Sequence, residues 1–309
     1  MKTTQRVRRI LAAYEGDNPG TKANLARILM NGRLGGSGKL VILPVDQGFE
    51  HGPARSFAPN PDAYDPAYHA QLALDAGLNA YATPLGMIEA VADTYAPRFP
   101  LILKLNSANS LSRGKEDADQ AITGSVDDAL RLGCAAVGLT IYPGSDAAYD
   151  MMEEAREVIA EAKSAGLASV VWSYPRGGNL SKEGETAIDV VAYGAHMAAL
   201  LGAHIIKIKM PSDYIEQDDA RKAYESNNVD ISTPAARVAH VVQSAFNGKR
   251  LVVFSGGATR GEDSLYDDAR AIREGGGNGS IIGRNTFQRP RDKALEMLGE
   301  VVGIYQGRV

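Results

Sequence analysis

One cysteine, Cys134, stands in 309 residues, so no internal disulfide can form and a disulfide-stapled scaffold is excluded. Histidine is almost as scarce. The five are scattered along the chain, and neither their spacing nor the lone thiol makes a zinc-binding pattern. No stretch reaches eighteen apolar residues, and the opening segment MKTTQRVRRILAAYEGDNPG lacks the unbroken apolar run of a signal peptide. A cytoplasmic chain without a membrane partner is expected. A surplus of either charge is also missing: 33 Lys and Arg against 37 Asp and Glu give a formal charge of -4. That balance argues against nucleic acid or a membrane surface as partner, and any anionic ligand must be held by a local cluster. Apolar residues, at 44%, are plentiful enough for a sizeable core.

What recurs is a short apolar run closed by polar or glycine residues and followed by an amphipathic segment of helical period. Eight such runs are present, at Leu40–Val45, Asn79–Thr83, Leu101–Lys104, Ala135–Ile141, Ser169–Ser173, Ile205–Met210, Leu251–Phe254 and Ser280–Ile282. All but the second are nearly continuous, as strands covered on both faces are. Helix starts are marked by Asp65-Pro66, by Ser125 with Asp128 three residues on, and by Thr233-Pro234. Gly133, Gly166, Gly202 and Gly275 sit where helices should stop. In the longest segment Met151, Met152, Ala155, Val158, Ile159 and Ala162 trace one helical face. The stretch from Lys39 to Gln288 is close to the roughly 250 residues of a closed (β/α)8 barrel. An α/β TIM barrel over 39–309, preceded by a helical N-terminal extension over 1–38, is therefore expected. Within the extension, Lys22–Met30 reads as helix, and the whole segment suits a cap for the lower end of the barrel or a subunit contact. An open doubly wound sheet is the competing fold, but no G-x-G-x-x-G follows the first strand.

In such barrels chemistry sits at the carboxyl ends of the strands. Alternation puts Lys207 and Lys209 on one face of the sixth strand and Ile206, Ile208 and Met210 on the other, so two amines are expected to point inward. A second cation and partial desolvation would lower the pKa of Lys207, giving the neutral amine that imine chemistry needs. The alternative is a core ion pair with Asp46. Trp172, Tyr174 and Arg176 share the inner face of the neighbouring strand, where Tyr174 could exchange protons or simply pack. Asp46 reads either as a base for a substrate hydroxyl or as a loop residue starting a helix. Ser255-Gly256-Gly257 and Gly283-Arg284 follow the last two strands, where many barrels bind phosphate. Arg176, with Lys104 and His51, offers a second anion site across the mouth, and two such sites suit a bisphosphate.

With these residues in view, the chain resembles the class I fructose-bisphosphate aldolases of the bacterial and archaeal type. The resemblance rests on LPVDQGFEHGP at 43–53, LILKLN at 101–106, AVGLTIYPGS at 136–145, VVWSYPRGG at 170–178, KIKMPSD at 207–213, FSGGA at 254–258 and GRN at 283–285. It implies a metal-independent lyase of glycolysis and gluconeogenesis that needs no cofactor. By that resemblance Lys207 forms the Schiff base, Tyr174 is the acid-base group, Asp46 assists proton transfer, and Ser255, Gly256, Gly257, Gly283 and Arg284 contact phosphate. It also implies a homo-oligomeric ring, often a decamer. One departure is Gln47, which stands where family members often carry histidine after the aspartate. A thiolase or transaldol-type synthase on another phosphorylated ketose, a non-covalent phosphosugar isomerase, and a non-catalytic phosphosugar-binding barrel remain alternatives.

Overall fold

The computed structural model of the chain describes residues 2–111, 118–255 and 261–308. Eight parallel strands form a closed barrel: β1 Leu40–Pro44, β2 Ala80–Pro84, β3 Leu101–Lys104, β4 Ala136–Ile141, β5 Ala168–Ser173, β6 Ile205–Lys209, β7 Leu251–Ser255 and β8 Gly279–Ile281. Closure comes from β1, which pairs with both β2 and β8. Every expected run is a strand, displaced by a residue or two at most. The expected helix starts also hold. Asp65 and Thr233 cap helices that begin with proline, and Ser125 with Asp128 forms a reciprocal capping box.

Alternation along the strands divides the core in two. Outward residues such as Val41, Leu43, Val171, Ile206, Ile208 and Phe254 pack under the surrounding helices, while Leu40, Ile42, Val170, Trp172, Ile205 and Val253 fill the barrel. Cys134 belongs to the outer layer and is buried there. Parallel register sets Trp172 on β5 beside Lys207 on β6, so an indole and an amine enter the barrel at one level. Space for that indole is left by Gly138 on β4, where an added Cβ would come within 2.3 Å of the ring. Among the described residues no helix is long and apolar enough to cross a membrane.

The N-terminal extension closes the barrel from below. Its helix α2, Pro19–Met30, begins three residues before the expected segment because Asn18 caps it and Pro19 opens it. A further helix, α1 over Gln5–Ala12, was hidden by the basic run Arg6, Arg8 and Arg9, since Val7 is its one buried residue. Val7, Tyr14, Leu25, Ile28 and Leu29 continue the apolar filling of the barrel. A polar latch joins the two parts. The Tyr14 hydroxyl donates to the His204 carbonyl at 2.6 Å and accepts from the Leu251 amide at 3.2 Å. Asp17 meets His204 Nε2 at 2.8 Å and Lys163 at 3.3 Å. Because the Ser169 amide donates to His204 Nδ1 at 2.9 Å, the imidazole is neutral with its proton on Nε2. All of this lies at the amino ends of the strands, away from the mouth.

Replacing Tyr14 by Phe removes the hydroxyl that bonds both the His204 carbonyl and the Leu251 amide, which then keep only their 3.2 Å bond to each other, at a cost of about 0.5–1.5 kcal/mol. Thermal unfolding should show a lower Tm with kcat/KM unchanged, which separates a stabilising role from a catalytic one.

Candidate active site

The carboxyl ends of the strands surround a cavity of about 350 Å³. Asp46, His51, Tyr174, Arg176, Lys207, Lys209, Ser255, Gly283 and Arg284 all line it, so nine of the expected site residues meet in one place. Gly256 and Gly257 lie outside the described residues. Trp172 and Lys104 lie deeper, completely enclosed by protein.

Lys207 projects from β6 with 4% of its surface exposed. Its Nζ sits 5.5 Å from the centre of the Trp172 ring and 5.2 Å from that of Tyr174. Among the described residues no carboxylate lies within ion-pair distance of it. The core ion pair with Asp46 is therefore not formed. Burial lowers the Lys207 pKa to about 8, with Lys104 and Arg284 adding to the fall and Asp46 and Glu50 opposing it. Lys209, on the same face of β6, does not crowd Lys207. It is instead held at the mouth by Glu185, Nζ to Oε2 2.7 Å, because strand alternation fixes its face but not the partner its long stem reaches.

Lys104 is that second inward amine. Its Nζ lies 5.8 Å from the same Trp172 ring and donates to the backbone and side-chain oxygens of Asn106, the latter at 2.9 Å. Asn106 is itself locked to Thr140, whose amide donates to it at 2.7 Å and whose carbonyl it reaches at 2.8 Å. Lys104 thus lies under the site and is engaged there, so it is not free for an anion at the mouth. Its charge acts through space, and the Trp172 ring lies 5.8 Å from its amine and 5.5 Å from that of Lys207.

Burial, together with Asp46, holds the Tyr174 hydroxyl well above the usual phenol range, with the nearby Ser255 side chain opposing that rise. It is a proton donor at neutral pH, not a phenolate. Asp46 is 7% exposed, precedes the short helix Gln47–His51 without capping it through its side chain, and has one carboxylate oxygen with no partner. Glu50, one helical turn later, lines the same cavity, and burial with the repulsion of Asp46 raises its pKa to about 7. Glu50 and Glu185 received no role from the sequence. The i, i+4 spacing of Asp46 and Glu50 was the available signal, since it puts both carboxyls on one side of a helix. Gln47, at the departure from the family pattern, also lines the cavity with a buried, unpartnered Oε1.

His51, lowered in pKa by burial and by Arg55, approaches Glu50 at 3.8 Å and is a neutral hydrogen-bonding group rather than a cation. His69, His196, His204 and His240 are bonded elsewhere, to Ala63, Ser244, Asp17 and Tyr224. Among the described residues no three His, Cys, Asp or Glu side chains gather as metal ligands. Arg176 lies 5.0 Å from the Tyr142 ring, and Ser255, Gly283 and Arg284 line the same cavity from the ends of β7 and β8.

A buried amine between aromatic rings, a proton-donating phenol and a carboxylate at the mouth of an eight-stranded barrel are the parts of an imine-forming aldolase. Residues 40–289 match the DeoC/LacD family aldolase, and the chain belongs to this family of lyases. More particularly, it is 39% identical to the class 1 fructose-bisphosphate aldolase of Thermoproteus tenax over 268 residues, 86% of this chain and 90% of that protein. A probable class 1 fructose-bisphosphate aldolase of Chlamydia muridarum is 33% identical over 97% of this chain and 88% of its own. Among solved structures, an archaeal fructose-1,6-bisphosphate aldolase with its catalytic lysine covalently bound to the carbinolamine intermediate superposes with a TM-score of 0.73. It is 34% identical, covering 91% of this chain and 98% of that one.

An uncompensated amine in the core costs folding free energy. The cost is complete below the folded pKa near 8 and fades as the pH rises toward the unfolded value of 10.5. Lys207→Met should therefore raise Tm by a few degrees at pH 7, and this gain should shrink by pH 10 in differential scanning calorimetry.

Proposed function

We propose that the chain catalyses the reversible cleavage of fructose 1,6-bisphosphate into dihydroxyacetone phosphate and glyceraldehyde 3-phosphate through a Schiff base at Lys207. The observation that carries this reading is the Lys207 amine itself, buried, unpaired and facing a cavity lined by Arg176, Lys209 and Arg284. With a pKa near 8, about a fifth of it is neutral at pH 7.4, against roughly a thousandth for an ordinary lysine. The names and architecture of the relatives support the choice of substrate.

In cleavage, the neutral Nζ attacks the C2 carbonyl, and the resulting carbinolamine loses water with Tyr174 as proton donor, leaving an iminium. Asp46 accepts the C4 hydroxyl proton. The C3–C4 bonding electrons then flow into the iminium and the aldehyde leaves. The proton held by Asp46 returns through water to the Tyr174 phenolate, and Tyr174 protonates the enamine at C3 before water adds to the iminium and releases the ketone and the neutral amine. The near phosphate binds at Ser255, Gly256, Gly257, Gly283 and Arg284. The far phosphate binds at Arg176 and Lys209, with His51 as a neutral donor. Trp172 supports the iminium charge from below, as an aromatic face does for a cation. Synthesis reverses each step. The same reading makes the chain a cytoplasmic homo-oligomer, for which the buried Cys134 thiol and the exposed Tyr149 and Leu200 on outer helices are suitable.

Borohydride reduction in the presence of dihydroxyacetone phosphate, followed by peptide mass mapping, should place one adduct on Lys207, and turnover should persist with a chelator present. An adduct on another lysine, or a ketose phosphate whose protons exchange with no borohydride inactivation, would instead indicate a different nucleophile or a non-covalent isomerase.

A further inference from the structure

The far wall of the cavity holds a carboxylate among cations. Lys209 Nζ donates to Glu185 Oε2 at 2.7 Å, and Lys182 Nζ donates to Oε1 at 2.9 Å. Both lysines line the cavity, as does Arg176. The side chain of Glu185 is only 12% exposed, whereas that of Lys182 is 89% exposed. The anion is thus the most enclosed member of the trio and Lys182 the most open, with Lys209 at 22% exposed between them.

Its backbone is riveted in place. Glu185 stands in the tight turn Gly184–Thr186 of the loop that follows β5, which is bonded to the loop that follows β6. The Glu216 carboxylate accepts from the Ser181 amide and hydroxyl, both at 2.8 Å, and the Ser181 hydroxyl accepts from the Gly184 amide at 2.8 Å. The Ser212 amide donates to the Thr186 carbonyl at 2.8 Å. At Gly184 an added Cβ would come within 2.6 Å of the Glu216 carboxyl carbon, so the turn fits closely against that clamp. A phosphate at this wall would therefore draw Lys209 and Lys182 toward itself while Glu185 stays where it is.

Resting on the reading that the far phosphate of the ketose binds here, we infer that Glu185 is a specificity-determining residue of that subsite. Its resident carboxylate competes with the far phosphate for Lys209 and Lys182. Without it, Arg176, Lys182 and Lys209 would present three positive charges to a group carrying at most two negative ones. With it the wall matches a phosphoryl dianion, and the phosphorylated aldehyde made by cleavage is not held after the bond breaks. A ligand with a bare hydroxyl at its far end does not compete for the lysines and is unaffected by the carboxylate.

Calorimetric titration with hexitol 1,6-bisphosphate and hexitol 1-phosphate tests this without chemistry, because neither ligand has a carbonyl. Glu185→Gln should tighten the bisphosphate about threefold to tenfold and leave the monophosphate within about twofold. In turnover the same variant should show a lower KM and a lower kcat for fructose 1,6-bisphosphate, from slower product release, with fructose 1-phosphate unchanged. Lys209→Met should weaken the bisphosphate alone. Equal effects of Glu185→Gln on both ligands, or weaker bisphosphate binding, would reduce Glu185 to a structural residue and overturn the inference. Bisphosphate-selective tightening in a chain that cleaves no ketose would uphold Glu185 and defeat the aldolase substrate instead.

Discussion

The site depends on taking one ammonium group out of water without giving it a counterion. A lysine buried beside a carboxylate would keep its proton and make an inert ion pair. A lysine in open solvent would keep it as well. Lys207 avoids both outcomes because β6 delivers it between the Trp172 and Tyr174 rings, while the two nearby carboxyls, Asp46 and Glu50, act through space. Lys104 reinforces the effect from beneath, held by Asn106 so that its charge cannot swing away.

That arrangement needs a scaffold whose other parts absorb the cost. The barrel interior below the site is a continuous apolar filling shared by strands and N-terminal helices, and the latch of Tyr14, Asp17 and His204 fixes the lower end. Stability is concentrated at the amino ends of the strands and chemistry at the carboxyl ends. The tight fit of the Trp172 ring over Gly138 links them, since the same ring fills the core and lies beside Lys207.

The fold was legible because strand runs, proline-opened helices and a capping box are local signals that tertiary context did not override. Alternation also gave the correct face for Lys207 and Trp172. What alternation cannot give is depth or partner. Lys104 and Lys209 exchanged their expected places because a long side chain can end in a buried asparagine pocket or on a carboxylate twenty-four residues away. Glu185 was invisible for the same reason, its role being set by a turn pinned from a different loop. Helix α1 was missed because its basic residues obscured a single buried contact, and Glu50 because its helix is only five residues long.

The central claim is the ionisation of one amine, and it can be measured on the unmodified chain. The rate of carbamylation of Lys207 by cyanate, followed by mass spectrometry across pH 6 to 11, reports the fraction of neutral amine in a reagent small enough to enter the cavity. The account predicts a midpoint near 8, well below that of an exposed lysine such as Lys222. A midpoint near 10.5, with Lys207 and Lys222 titrating together, would contradict it.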